Sequence, residues 1–277
     1  MTKEWEIDRL DLDAYLRRIG HHGQLAATGQ TLTALHRAHI AAIPFENLDI
    51  VLGRGVSVDL PSVQAKLVGR RRGGYCYEHG VLFAAVLERL GYTVERLLAR
   101  IGADKQRPRP RSHMTLHVQA DGQQWLADVG FGAGLLEPLP WGDTGPHQQG
   151  GWTYQLVPDG NRAWLLCERG QADWAPLYSF TAETQHAADV EVANHFTSTH
   201  PSSPFTGQLI AMRKDTDARR QLVGRQLTIT RADGSTHEQQ LTNAEVADAL
   251  HHDFGLPLTQ QDARELTAAL PDYTTTP

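Results

Sequence analysis

Cys76 sits in the stretch RRRGGYCYEHG, residues 70–80, behind a double glycine and between two tyrosines. Three arginines precede it, Glu78 and His79 follow it, and the chain has one other cysteine, Cys167. A thiolate is a far better nucleophile than a thiol, and thiols ionise more easily at helix N-termini and beside cations. The apolar pattern of GVLFAAVLERLGY predicts a helix that begins just after Cys76 and stops near Gly91. The helix dipole and Arg70, Arg71 and Arg72 are then expected to favour an anion at Cys76. Gly73 and Gly74 would let backbone N–H groups approach an acyl group and its oxyanion. Alone, the pattern is weak, because a lone cysteine before a helix is more often a small buried hydrophobe.

A general base strengthens it. His113 opens the alternating run HMTLHV, and WLADVGFG follows the turn signal Asp121-Gly122, carrying Asp128. Paired as a hairpin, the two runs bring His113 and Asp128 together within the slip that a loop or bulge allows. A carboxylate there selects the ring tautomer and stabilises an imidazolium. His113 and His117 are four apart, but on a strand and without a following Glu they do not make a zinc motif, and no metal is expected. VGFGAG lacks the Lys and the strand-to-helix setting of a phosphate loop. PFENLD reads as a simple turn and helix cap. Cys167, in AWLLCER, has no partner of this kind.

These residues must be held by a folded scaffold. The chain has 277 residues, 40% of them hydrophobic, which is ample for a core. A net charge of −6 does not favour nucleic acid or an anionic membrane as partner. No apolar run is long enough to span a bilayer, the N-terminus lacks a signal-peptide stretch, and two cysteines make no disulfide framework. The expectation is a cytoplasmic protein. Residues 1–92 read as a helical bundle carrying the cysteine, and 93–206 as an antiparallel β-barrel carrying the His and the Asp. Residues 207–277 read as an α/β lid with strands at QLTITR and HEQQLT, then two helices. The fold class is α+β.

IPFENL at 43–48, RRGGYCYE at 71–78, SHMTLHV at 112–118, WLADVGFG at 125–132 and THPSSPF at 199–205 together resemble the arylamine N-acetyltransferase family. The resemblance covers nearly the whole chain and implies a core similar to cysteine proteases and transglutaminases. It implies that Cys76 is the acetyl-accepting nucleophile, His113 its base and Asp128 the orienting acid. It places Phe45, Phe131 and Phe205 at the aromatic substrate, and Ser112, Gly130, Phe131, Gly132 and Phe205 near coenzyme A. Arg18, Glu46 and Arg72 match a supporting polar cluster. Tyr75 and Tyr77 are expected to pack the helix rather than touch substrate. Gly80 departs from the family, which commonly has asparagine there.

The implied reaction is ping-pong transfer of acetyl from acetyl-coenzyme A through a cysteine thioester to an arylamine, arylhydrazine or N-hydroxyarylamine. The expected assembly is a monomer or homodimer. Rival readings are a polyketide-releasing amide synthase of the same fold and a cysteine hydrolase that needs no coenzyme A.

Overall fold

The computed structural model describes residues 4–160 and 162–270. The helix Cys76–Arg89 runs through the interior, with every residue from Cys76 to Leu87 buried. Its sequence is apolar on nearly all sides, as an interior helix requires. It starts at Cys76 itself and ends at Leu90, and Gly91 then takes φ 93° to turn the chain. Two amphipathic helices cover it. Leu12–Ile19 is capped by Asp11, whose carboxylate accepts from the Ala14 N–H at 2.9 Å. Gly29–Ala42 is capped by Thr28.

The alternating runs form an eight-stranded antiparallel sheet that curls into a nearly closed barrel. Its central strands lie in the order Gln123–Ala127, Arg111–Ala120, Thr93–Ile101, Trp174–Thr181 and Ala163–Arg169. Tyr154, Leu156, Leu166, Tyr178 and Phe180 are among the side chains that form its core. Asp121 and Gly122 have φ 52° and 72°, the two positive values of a type I′ turn, and Ala120 faces Gln123 across it. The helix Ala187–Thr199 follows the barrel strands, in a stretch read from sequence as strand-rich.

A second sheet has five strands, Phe45–Glu46, Ile210–Lys214, Ala218–Val223, Gln226–Arg231 and Thr236–Gln240 in that order. The last two match QLTITR and HEQQLT. IAMRK and ARRQLV are short, carry two adjacent cations each and lack an alternating apolar face, so the sequence does not mark them as strands. Phe45–Glu46 is a two-residue strand rather than a turn, and Phe45 pairs with Met212. This pairing ties the N-terminal helices to the C-terminal sheet. The helices Asn243–His252 and Gln260–Ala269 each begin with a threonine cap and an acidic third residue.

Gly80 is explained by its neighbour. A Cβ on Gly80 would lie 2.8 Å from Sδ of Met114, so the Met114 side chain fills the space that a side chain at 80 would occupy. Gly80→Asn should therefore lower the urea-unfolding free energy by about 1–3 kcal/mol through overpacking. The double variant Gly80→Asn/Met114→Ala should regain part of it. A single variant as stable as the parent would show that Met114 moves aside freely.

Candidate active site

The first turn of the central helix is fixed from below by buried charge. Lys66 Nζ lies 2.8 Å from both Asp49 and Glu78. Glu78 in turn accepts from the Tyr75 N–H at 3.0 Å. Arg72 pairs with Glu46 at 2.9 Å and lies 3.6 Å from Asp49. Arg18 does not join that pair; it donates to the carbonyls of Leu67 at 3.0 Å and Arg71 at 3.3 Å, bracing the same loop through its backbone. Arg70 and Arg71 are exposed, and Arg72 is committed to its carboxylates. The three arginines therefore shape the loop, and the cation beside the thiol comes from His113.

The glycine pair serves packing. A Cβ on Gly73 would lie 2.3 Å from the Pro44 carbonyl oxygen, and one on Gly74 would lie 2.7 Å from the Glu78 carboxylate. His79 holds the same turn. Its Nε2 faces the carbonyls of Gly74 at 3.1 Å and Pro44 at 3.3 Å, so that nitrogen carries the proton. Burial pushes His79 down to about 4, and the neutral ring accepts at Nδ1 from His39 Nε2 at 2.8 Å. His39 then accepts at Nδ1 from the Tyr15 hydroxyl at 2.8 Å. The result is a buried chain of three hydrogen-bonded side chains with one possible direction. Tyr75 and Tyr77 are fully buried and bonded to Asn194 and Thr197 of the helix Ala187–Thr199.

His113 lies on Arg111–Ala120, and Asp128 lies just past Gln123–Ala127. The register pairs Leu116 with Ala127, so its extension sets Asp128 opposite Thr115. His113 therefore meets Asp128 on the diagonal, not directly across and without a bulge. Its Nε2 donates to Asp128 Oδ2 at 2.7 Å. The other carboxylate oxygen accepts from the Gly130 N–H at 2.9 Å, and Tyr178 also bonds this carboxylate. Phe131 and Tyr178 flank the imidazole, with centroids 5.1 and 4.8 Å away.

Burial disfavours a charged His113. The Asp128 carboxylate and the Cys76 side chain, which hydrogen-bonds the ring, overcome that and push His113 up to about 10. Burial likewise opposes the Asp128 carboxylate, yet His113, Tyr178 and the Gly130 amide hold it below the usual range. With Nε2 engaged by Asp128, Nδ1 is the nitrogen left for Cys76. The thiol also approaches the Ser112 carbonyl at 3.7 Å.

Cys76 and His113 open into a cavity of about 690 Å³ whose wall is mainly apolar. Phe45, Phe131, Phe205, Ser112 and Gly130, the positions expected from sequence at the substrate and coenzyme A, line it. Gly132 does not; with φ 78° it lies between Phe45 and Met212, where a Cβ would be 3.0 Å from each. Met212, Phe196 and Arg219 line the cavity without having been singled out in the sequence.

An N-acetyltransferase family model matches residues 28–263. The arylamine N-acetyltransferase of Mycolicibacterium smegmatis is 40% identical over 94% of this chain and 96% of its own. The chain belongs to the arylamine N-acetyltransferase family. The solved arylamine N-acetyltransferase of Mycobacterium abscessus superposes with a TM-score of 0.93 at 36% identity, covering 99% of each chain. That of Mycobacterium marinum, solved in complex with CoA, superposes at 0.85 with 37% identity, over 94% of this chain and 98% of its own.

Among the described residues, no group of His, Cys, Asp or Glu side chains could hold a metal ion, and no helix is long and apolar enough to cross a membrane.

Within this family fold, sequence reasoning missed His36. Its Nδ1 donates to the Leu136 carbonyl at 3.1 Å, and its Nε2 accepts from the Asp128 N–H at 3.2 Å. Only a neutral ring can do both. The hint was available: His36 and His39 are three apart on the apolar face of one helix. Burial pushes His36 down to about 4, against about 6.5 in an unfolded chain. A depressed histidine contributes stability above the unfolded value and loses it as pH falls toward the folded one. The loss between pH 6.5 and 4 amounts to about 3 kcal/mol. The slope of unfolding free energy against pH in this window should be shallower in His36→Gln than in the parent. Equal slopes would show that His36 does not titrate with unfolding.

Proposed function

We propose that the protein transfers acetyl groups from acetyl-coenzyme A to arylamines, arylhydrazines or N-hydroxyarylamines through a thioester on Cys76. The observation that carries this reading is the 2.7 Å bond from His113 to Asp128, with His113 and Cys76 together lining an apolar cavity. Cys76 would be the nucleophile, His113 the proton carrier and Asp128 the group that orients His113 and keeps it charged.

As the sulphur attacks, His113 is the group that holds the proton beside it. The Cys76 sulphur attacks the thioester carbonyl, a new S–C bond forms, and the oxygen gains negative charge. Cys76 is the first residue of its helix, so its N–H has no helical partner and is suited to receive that oxyanion. The carbonyl re-forms, the bond to the coenzyme A sulphur breaks, and His113 supplies the departing thiolate with a proton. One thioester replaces another, so the step is close to balanced in energy. The acceptor nitrogen or oxygen then attacks the acyl-enzyme. Its proton passes to neutral His113, and the Cys76 thiolate leaves, restoring the ion pair. An aniline or hydrazine is unprotonated at neutral pH and can attack, whereas an alkylamine is protonated and cannot.

Phe45, Phe131 and Phe205 are assigned to the ring of the acceptor. Ser112, Gly130, Phe131 and Phe205 are assigned to the arm of coenzyme A. Gly132 supports that region by letting Phe45 and Met212 close over it. Residues 1–92, 93–206 and 207–277 are proposed as three domains, with the cavity at their meeting point. The compartment proposed is the cytoplasm, where a thiol stays reduced.

Three outcomes are expected. Incubation with acetyl-coenzyme A alone should add one acetyl group to the parent and to Cys167→Ala by intact mass, and none to Cys76→Ser. A labelled Cys76→Ser protein would eliminate the covalent route. His113→Ala should slow alkylation of Cys76 by iodoacetamide at neutral pH by about tenfold or more. Asp128→Asn should retain its circular dichroism spectrum and lose about two or more orders of magnitude in single-turnover acetylation. A folded Asp128→Asn protein that acetylates at the parent rate would overturn the assigned role.

A further inference from the structure

A second cleft, of about 530 Å³, has no ligand assigned to it by sequence or family resemblance, which give Arg18 only a supporting role. Arg17, Arg18, Arg71 and Arg213 line it, with His251 and Phe254. No carboxylate lines it, although the chain carries 32 acidic residues against 26 basic ones. Other buried cations are neutralised: Arg72 by Glu46, Lys66 by Asp49 and Glu78, and Lys214 by Glu168. Among the described residues, none of the four cleft arginines is in an ion pair. Arg18 is buried and bonds only to backbone carbonyls, and Arg213 donates to the Ala41 carbonyl at 3.0 Å. Burial first, then the charges of Arg71 and Arg213, push Arg18 down to about 10. Of the four, Arg18 is buried, Arg213 is half-buried and Arg17 and Arg71 reach solvent, so like charges gather around one buried guanidinium with no acid beside it.

The helix dipole accounts for part of this cluster only. Arg17 and Arg18 end the helix Leu12–Ile19, where cations are favoured. Arg71 comes from the loop before Cys76, and Arg213 from the strand Ile210–Lys214. Arg71 is held at φ 55°, a left-handed backbone that arginine rarely adopts. Gly255 has φ 69°, and a Cβ on it would lie 3.2 Å from the Arg213 guanidinium. Three separate segments thus bring guanidinium groups to one cleft, and a glycine leaves room for the fourth wall.

We propose that this cleft binds a phosphate-bearing anion at a site separate from the catalytic cavity. Guanidinium forks match phosphate oxygens in pairs, and several unpaired arginines suit a multiply charged group of the pyrophosphate type. The two clefts share no lining residue. They are connected, however. Arg71 belongs to the loop that ends at Cys76, and Arg213 follows Met212, which lines the catalytic cavity. Occupancy would remove repulsion on that loop, so the anion and the thiol site would be energetically linked.

Isothermal titration of the full chain with sodium pyrophosphate, at constant ionic strength, tests this. Saturable binding at a single site is expected. Arg17→Gln, at an exposed position that tolerates change, and Arg213→Gln should each weaken it by about tenfold or more. Arg9→Gln, remote from the cleft, should not. Coenzyme A titrated into the same proteins distinguishes the sources of phosphate: coenzyme A affinity unchanged in Arg17→Gln while pyrophosphate affinity falls supports a separate site, and a parallel loss of both overturns it. Absence of saturable heat, or equal affinity in Arg17→Gln and the parent, also overturns the proposal.

Discussion

The first turn of the helix Cys76–Arg89 is pressed against the loop after Asp128, and the site depends on that contact. A Cβ on Gly130 would stand 2.9 Å from the Cys76 carbonyl oxygen and 3.0 Å from its Cα. Only a residue without a side chain lets helix and barrel come this close. The approach lets a thiol on a helix reach an imidazole on a strand. The Gly130 N–H also bonds the Asp128 carboxylate, so one residue sets the spacing and orients the acid.

Around this contact, burial is used in two opposite ways. His36, His39 and His79 are buried with no carboxylate hydrogen-bonded to the ring, and burial keeps them neutral and directional. Each then fixes a backbone carbonyl, a backbone amide or the next ring. His113 is just as buried, but Asp128 and Cys76 hold it charged. The same residue type in the same dry interior is thus a neutral, rigid connector or a charged ring, according to its partner.

The C-terminal sheet reaches the site through few residues. Phe45 pairs with Met212, and Asn47 donates to the carbonyls of Phe205 and Gln208 at 2.9 Å. Phe45 and Phe205 then meet at 5.9 Å on the cavity wall. A wall built from residues 160 positions apart in sequence is sensitive to how the C-terminal region is seated. The shape of the cavity is therefore governed by packing between regions as much as by the residues themselves.

Much of this was legible in the chain. Periodicity marked the central helix and the Asp-Gly turn signal marked the hairpin at Asp121-Gly122, because a buried helix and a type I′ turn have strong local signatures. The types of Cys76, His113 and Asp128 followed from their chemistry. The strands IAMRK and ARRQLV had no local signature, and only pairing made them strands. The diagonal meeting of His113 with Asp128 depended on a register that a two-residue slip would have changed. The roles of Gly73 and Gly74 as packing residues, and of His36 behind Asp128, depended on neighbours far away in sequence. The sequence by itself determined which groups could ionise, cap or turn, because those are properties of single residues and short stretches. Tertiary structure decided which of them are charged, and which way each points, because burial and partnership arise only when distant segments meet.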